Sequence, residues 1–391
     1  MSSREPHPDS PPTLLRLETM RAEYHIRHPR RRIPRGLVRL LGRLVLPLLF
    51  DIRVEGRENF PKSGPLLVVG NHRAAMEAVL MVVYTPWQVE VLGAADTPHE
   101  KITEIAARVY KPIPVNRGHF DRAALVKSLD VLRQGGIVAI FPEGGIWNAD
   151  RMRAQTGVAW LSYRAEAPVL PIGFSGTMGA INKPTRLRRP RLTMHVGQLI
   201  PAAHLPKDQP RKAALEAFAT RTVEAIKALL PPGDPAHRPP IEDERFELQV
   251  ALRTEDGRQE SYPDDLKIRQ AAPLAKLLHR PTILKIFTRN LKLPTRPLQR
   301  LDEERDPEKI VRAVQSILDY LRKENPYLLT YRFGPGEAAA MHSGLEELLA
   351  LAEWASASRL RLEITPIRRY TSPEQDEEVV QVKQGSFESW M

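Results

Sequence analysis

Between Asp51 and about Leu230, short apolar runs bounded by Gly, Pro or Asn alternate with stretches of helical periodicity, and nothing else in the chain restricts its fold as strongly. That alternation is the signature of an α/β core. Strands are expected at residues 66–70, 89–92, 137–141, 169–174 and 192–196. A helix is expected from Asp121, a capping residue, to Gln134, just before Gly135-Gly136. A last amphipathic helix should run from about Arg211 to Leu230.

Pro231, Pro232, Pro235, Pro239 and Pro240 then break regular structure within ten residues, because each fixes φ and removes a backbone donor. This predicts a basic tail and amphipathic helix over 1–50, a first domain over 51–232 and a second over 246–391. In the second, 246–253 and 360–365 read as strands. Asp306-Pro307 opens a helix to about Arg322, with Asp as N-cap and Pro at the first position. The result is a small C-terminal α+β domain whose role is not written in its residues. Within it, 283–287 (Ile-Leu-Lys-Ile-Phe), with Arg289 and Lys292, reads as a buried strand or helix, or as a lipid contact.

The chain has no cysteine, which removes disulfides, thiolate nucleophiles, cysteine zinc sites and iron–sulfur clusters together. Its chemistry must use His, carboxylates, hydroxyls or cations. Lys and Arg give a net charge of +11, a balance that attracts nucleic acid, anionic lipid or phosphorylated substrates. The N-terminus is polar and Pro-rich and lacks the apolar stretch of a secretory signal, so a cytoplasmic address is expected. The longest apolar runs, 44–50 and 78–84, fall short of the ~20 residues that cross a bilayer. No metal-binding or nucleotide-cradling motif of the standard kinds is present, so neither a metal nor another cofactor is expected.

From Arg21 to Arg43 there are eight arginines against the single acid Glu23. Arg35, Arg39 and Arg43 recur every four residues, with Leu37, Val38, Leu40, Leu41, Leu44 and Val45 between them, so a helix here separates a basic strip from an apolar one. It reads as an interfacial helix whose arginines meet an anionic membrane surface. The plainer alternative is a surface helix packing its leucines on the domain. Leucines rather than interleaved aromatics flank these cations, which argues against nucleic acid.

Four segments carry candidate chemistry. Asn71-His72-Arg73-Ala74-Ala75-Met76-Glu77 follows the strand at 66–70. On a regular helix His72 and Glu77 stand about 140° apart, so they meet only if His72 lies on the turn before the helix. A carboxylate bonded to one ring nitrogen fixes the tautomer, stabilises the imidazolium and leaves the other nitrogen free to accept a proton. A surface His near an unrelated Glu is the bland alternative. Phe141-Pro142-Glu143-Gly144-Gly145 ends a strand, where a ligand crevice opens in an α/β sheet. Its glycines let backbone N–H groups approach a ligand, and Glu143 can orient a hydroxyl or cation, unless the segment is a simple turn. In the segment from Lys111 to Gly118, Arg117 can hold a phosphate bidentately or lie solvated. Pro168 and Pro171 frame the fourth segment, a strand.

In this order the segments resemble the glycerolipid acyltransferase family, best known in bacteria from 1-acylglycerol-3-phosphate acyltransferase. The family's blocks run as N-H-x4-D, an apolar stretch ending in Arg-Gly, F-P-E-G, and a Pro-bracketed apolar strand. Here they fall at 71–77, 113–118, 141–144 and 169–171, and residues 156–161 look like the helix that follows the third block. The resemblance spans about residues 34–230.

It implies an αβ core with a mixed sheet and an O-acyltransferase active on lipid at the inner face of the cell membrane. His72, oriented by Glu77, would act as general base on the hydroxyl of a lysophospholipid acceptor, which attacks the thioester of acyl-CoA or acyl-carrier protein. Arg117, Glu143, Gly144 and Arg73 would bind the acceptor, and N–H groups at Gly144 and Gly145 would face the oxyanion. No covalent acyl-enzyme is needed. Ser175, in Gly173-Phe174-Ser175-Gly176-Thr177, lacks the second spaced Gly of a nucleophile elbow, which excludes a Ser hydrolase.

Two departures stand out. Glu77 replaces the family's Asp, and Gly145-Ile146-Trp147-Asn148 replaces Thr-Arg-Ser, removing an arginine for which Arg151 or Arg153 could substitute. They keep open a non-phosphorylated acceptor, such as a glycolipid or amino-lipid, and a noncatalytic lipid-binding relative. Lys183, Arg186, Arg188, Arg189 and Arg191 form a second basic cluster, for lipid, for CoA phosphates or for water. His195 and Trp160 read as structural.

Overall fold

A computed structural model of the chain describes residues 24–94, 107–115, 121–142, 156–178, 180, 189–206, 208–237, 241, 243–280, 283–284, 286–287, 291, 305–372 and 377–382. It contains two compact units, with the main boundary between Arg238 and Pro239.

The first unit begins with α1 (Arg32–Leu49) and β1 (Asp51–Glu55), followed by β2 (Leu66–Gly70), α2 (Ala75–Tyr84), β3 (Glu90–Ala94) and β4 (Ile113–Val115). Then come α3 (Arg122–Arg133), β5 (Ile137–Ile140), α4 (Gly157–Ala165), β6 (Val169–Ser175), β7 (Arg191–Val196) and α5 (Arg211–Lys227). Among the described residues the strands form one sheet in the order β1-β7-β6-β2-β5-β3-β4. Every pairing is parallel except β6 with β7, which makes the expected mixed sheet.

All five residues of the central β2 are buried, and alternation sends them to two cores. Leu67 and Val69 pack with α3, α4 and α5 residues such as Leu129, Leu161 and Ile226. Leu66 and Val68 join Met76, Leu80 and Met81 of α2 on the other face. The strands expected in this unit and the helix starting at Asp121 are present within two residues of their expected bounds. The two edges of the sheet are β1, which the sequence reading overlooked, and β4, which it implied only in setting Arg117 at a strand end. Pro114 interrupts β4 and the charged residues of Asp51–Glu55 mimic a loop, as edge strands permit.

The orientation of α1 reverses the sequence expectation. Arg35 is 1% exposed; its Nη1 and Nη2 donate to the two carboxylate oxygens of Glu90 (2.5 and 2.8 Å), and its Nε donates to the Tyr110 carbonyl (2.9 Å). Arg30 adds Nε and Nη2 bonds to the same carboxylate at 3.0 and 2.8 Å. Arg39 donates to the Thr85 carbonyl, and Arg43 to those of Val83 (2.9 Å) and Thr85 (3.3 Å). The carbonyls at a helix C-terminus have no intrahelical donors, so two arginines of α1 cap the end of α2. The apolar strip faces outward instead: Ile33, Leu37, Leu40, Leu41, Leu44, Val45, Leu48 and Leu49 are 40–85% exposed. Arg30, Arg35, Arg39 and Arg43, expected to meet anionic lipid, therefore bond to the protein, Arg43 with part of its guanidinium, and the leucines expected in the alternative reading to pack on it do not.

The second unit holds β8 (Arg245–Arg253), β9 (Gln259–Glu260), α6 (Ala271–Leu278), α7 (Pro307–Lys323), α8 (Leu328–Phe333), α9 (Pro335–Ala357), β10 (Arg361–Thr371) and β11 (Glu378–Val382). Its antiparallel sheet runs β11-β10-β8-β9. Asp306 caps α7 by accepting the Glu308 N–H at 3.1 Å. Ile283, Leu284, Ile286 and Phe287 are buried, so that stretch is core and not a lipid contact.

Burial would raise the Glu90 carboxyl, but the hydrogen bonds from Arg35 and Arg30, with the His28 ring 3.7 Å away, outweigh it and hold the group at about 2. The depressed value stabilises the fold above the ordinary carboxylate range, and that contribution disappears as the pH falls from about 4.5 toward 2. Glu90→Gln leaves Arg35 buried without a counter-charge and should cost about 3–5 kcal/mol. Denaturant unfolding at pH 7 measures that loss. Repeating it down to pH 3 should show the parent losing stability more steeply than the variant.

Candidate active site

The site sits where β6, β2 and β5, adjacent in the sheet, end at their carboxyl edges, the edge at which α/β sheets open crevices. Gly70 ends β2 in close contact with Phe174: a Cβ there would lie 2.6 Å from the Phe174 ring. Asn71, fully buried, then takes the place of a peptide unit. Its Nδ2 donates to the Phe174 carbonyl at 2.9 Å and its Oδ1 accepts the Phe174 N–H at 2.7 Å. This extends the pairing of β2 with β6 by one residue and fixes the turn that follows.

His72 lies on that turn, ahead of α2, so the short sequence separation is bridged as the geometric argument requires. Its Nδ1 is 3.5 Å from Oε2 of Glu77. The imidazole stacks on Phe141, just past β5, with ring centroids 4.0 Å apart and planes at 16°. Glu77 is fully buried at the third position of α2. Its Oε2 accepts the Ala74 N–H at 2.8 Å, and its Oε1 accepts the Thr177 hydroxyl. The positive end of the helix dipole favours a carboxylate at this position. Nδ1 thus faces a fixed carboxylate, and Nε2 occupies the opposite edge of a ring clamped by Phe141.

Thr177 was not singled out from the sequence. It reaches Glu77 because Gly176, with φ of 76°, turns the chain after β6. A side chain at 176 would meet the Arg191 carbonyl at 2.1 Å. A glycine directly after a buried strand was the available signal.

Comparison with known proteins bears on what this turn is for. The family model described as "Acyltransferase" matches residues 51–175, which contain all four sequence blocks. A 1-acyl-sn-glycerol-3-phosphate acyltransferase of Borreliella burgdorferi is 34% identical over 95 residues, 24% of this chain and 38% of that protein. An enzyme of the same name from Bacillus subtilis is 20% identical over 186 residues, 46% of this chain and 92% of the relative. Residues 51–175 form an acyltransferase domain. The chain spans under two fifths of the length of the Borreliella protein. The crystal structure of the 1-acyl-sn-glycerophosphate acyltransferase PlsC from Thermotoga maritima aligns with a TM-score of 0.37 and 20% identity, over 54% of this chain and 89% of that one.

Within the acyltransferase domain one of the expected site residues is engaged by the protein itself. Arg73 does not present a free guanidinium: its Nη1 and Nη2 grip the carboxylate of Asp234, with Nη1 at 2.6 Å, and both side chains are nearly buried. Asp234 also accepts the Ala236 N–H at 2.9 Å. Arg73 braces the His72 turn against the segment after α5, and the guanidinium expected to bind the acceptor is engaged by this ion pair. Arg117, Glu143, Gly144 and Gly145 lie outside the described residues, as do Arg151, Arg153, Trp147, Lys183, Arg186 and Arg188. Arg189 donates to the Pro47 carbonyl at 2.5 Å and Arg191 to Asp51 at 2.8 Å, so these two cations serve the fold. Trp160 is core, and His195 pairs with Glu55 at 3.1 Å on neighbouring strands.

Asn71→Ala strips both partners from the Phe174 peptide groups. It should lower unfolding free energy by about 2–4 kcal/mol, given the cost of unsatisfied buried donors and acceptors, as read by chemical denaturation.

Proposed function

We propose that this protein transfers a fatty acyl group from acyl-CoA or acyl-carrier protein to the hydroxyl of a lysophospholipid such as 1-acylglycerol-3-phosphate. The observation that carries the proposal is the His72–Glu77 pair: an imidazole with one nitrogen 3.5 Å from a buried carboxylate, at the end of a central strand. The acceptor hydroxyl gives its proton to Nε2 of His72 as its oxygen attacks the thioester carbonyl. The tetrahedral intermediate collapses by breaking the C–S bond, and the departing thiolate takes the proton back from the imidazolium. Glu77 holds the ring and stabilises its charged form without reacting. The printed names of the Borreliella and Bacillus relatives support the phosphorylated acceptor. The family blocks assign Arg117, Glu143 and Gly144 to the acceptor head group, and the N–H groups of Gly144 and Gly145 to the oxyanion.

One observation favours the second reading, a non-phosphorylated glycolipid or amino-lipid acceptor. With Arg73 bound to Asp234, the site has one cation fewer for a phosphate.

No described helix is long and apolar enough to cross a membrane. The outward leucine face of α1 supports peripheral attachment, with apolar side chains buried at the head-group boundary. The inner face of the cell membrane is where thioester donors are available.

Transfer from acyl-CoA to lysophosphatidic acid should fall by about 10²–10⁴-fold in His72→Ala, the usual contribution of a general base. Glu77→Gln should lower it less, through loss of charge beside Nδ1. Undiminished transfer in His72→Ala sinks the mechanism, and a preference for an unphosphorylated acceptor moves the assignment to the second reading. Separately, Leu40→Asp with Leu44→Asp should abolish co-sedimentation with phosphatidylcholine vesicles.

A further inference from the structure

The C-terminal end of α2 carries a second feature that the reaction does not use. A concavity of about 790 Å³ opens there, lined by Arg43, Arg57, Lys62, Phe60, Tyr84 and Trp87 among others, with no carboxylate in its wall among the described residues. Phe60 and Trp87 meet edge to face with centroids 5.3 Å apart, and the Trp87 indole N–H donates to the Lys62 carbonyl at 3.3 Å. The aromatic floor is thereby tied to the loop that carries two of the cations. The Tyr84 hydroxyl is buried with no hydrogen-bond partner among the described residues. Burial raises its pKa, while the charges of Arg43 and Arg57 act in the opposite sense, so both guanidinium groups lie close enough to the phenol to influence it. His72 is at the other end of the ten-residue α2, about 15 Å away at the helical rise.

We propose that this concavity binds the phosphate-bearing head group of an anionic membrane phospholipid, as a docking site separate from the acceptor site. Three cations without an acid fit a phosphate, and an unsatisfied phenol supplies one further donor. Aromatic side chains with one polar tip are suited to the head-group level of a bilayer. A lipid source, and not a free phosphate, follows from Arg43: it belongs to α1, the helix whose exposed leucines face outward. A head group held here stands beside apolar side chains ready to meet the acyl region. The proposal rests on the peripheral membrane reading and names the lipid chemistry that reading leaves open.

The test uses the full-length protein and vesicles of phosphatidylcholine alone or with one quarter phosphatidylglycerol, without any assay of turnover. Arg57 and Lys62 are exposed, so Arg57→Gln with Lys62→Gln leaves the core intact. This variant should lose about tenfold or more of the affinity gained from phosphatidylglycerol, since each cation contributes about 1 kcal/mol at such a surface. It should bind phosphatidylcholine vesicles as the parent does. Lys212→Gln with Arg221→Gln removes the same charge from exposed positions of α5 and should lose markedly less. Equal losses in the two variants, or none in the first, overturn the site while leaving the leucine face intact. Failure of every variant and the parent to bind phosphatidylcholine overturns the membrane reading instead. As a second measurement on the parent, Trp87 emission, isolated by subtracting Trp87→Phe, should shift on adding phosphatidylglycerol vesicles and stay unchanged with glycerol 3-phosphate. No vesicle-induced shift overturns the proposal, and an equal shift with the soluble ester overturns the lipid source.

Discussion

A carboxylate removed from water is costly unless donors replace its hydration, and the first unit is organised around two of them. Glu77 gathers a backbone N–H, the Thr177 hydroxyl and the His72 ring. Glu90 gathers Arg30 and Arg35. The two demands act on α2 from opposite sides. At its N-terminus the helix supplies part of Glu77's donor set, while Arg35, answering Glu90, brings α1 close enough for Arg39 and Arg43 to reach the carbonyls at the far end. Because α2 starts at the end of the central strand, holding it at both ends also holds the turn bearing His72.

The same demand explains the reversed amphipathicity of α1. Periodicity shows that a helix has a basic strip and an apolar strip, and nothing in it says which strip meets water. The direction is decided by what waits on the protein side. Here that is a buried carboxylate and a row of unsatisfied carbonyls, both of which need cations, so the arginines turn inward and the leucines are left at the surface. An exposed row of eight large apolar side chains on an otherwise ordinary domain marks an interaction surface. The sequence pointed to a lipid-facing helix by way of charge, whereas the structure turns the charged strip inward and leaves the apolar strip exposed.

What could be read in advance was what depends on near neighbours. The strand at 66–70 announced itself as an apolar run ending in Gly, the helix from Asp121 by its cap, and the His72 turn by the angle that five residues subtend on a helix. The contacts left unread connect distant positions. Thr177 lies 100 residues beyond Glu77 and Asp234 lies 161 beyond Arg73, so in the sequence Arg73 looked like a free cation beside His72. The edge strand β1 was missed because pairing on one side tolerates charge. The helix α9 went unread, although Pro is well accommodated in a first helical turn and Pro335 is found there.

The replacement of the family's Asp by Glu77 also acquires a physical account. At the third position of a helix a glutamate reaches back to the N–H of the capping residue, and Glu77 does so with the same oxygen that faces His72. The extra methylene is therefore taken up in wrapping the carboxylate around the helix start. Its position is set by the backbone of Ala74 and by Thr177 more than by the length of its own arm. The side chain that orients the imidazole is itself oriented from two directions, and one of these comes from the end of β6, the strand to which Asn71 ties the start of the same turn. A change that loosens β6 from β2 would then disturb the base and its partner together, although neither residue belongs to either strand.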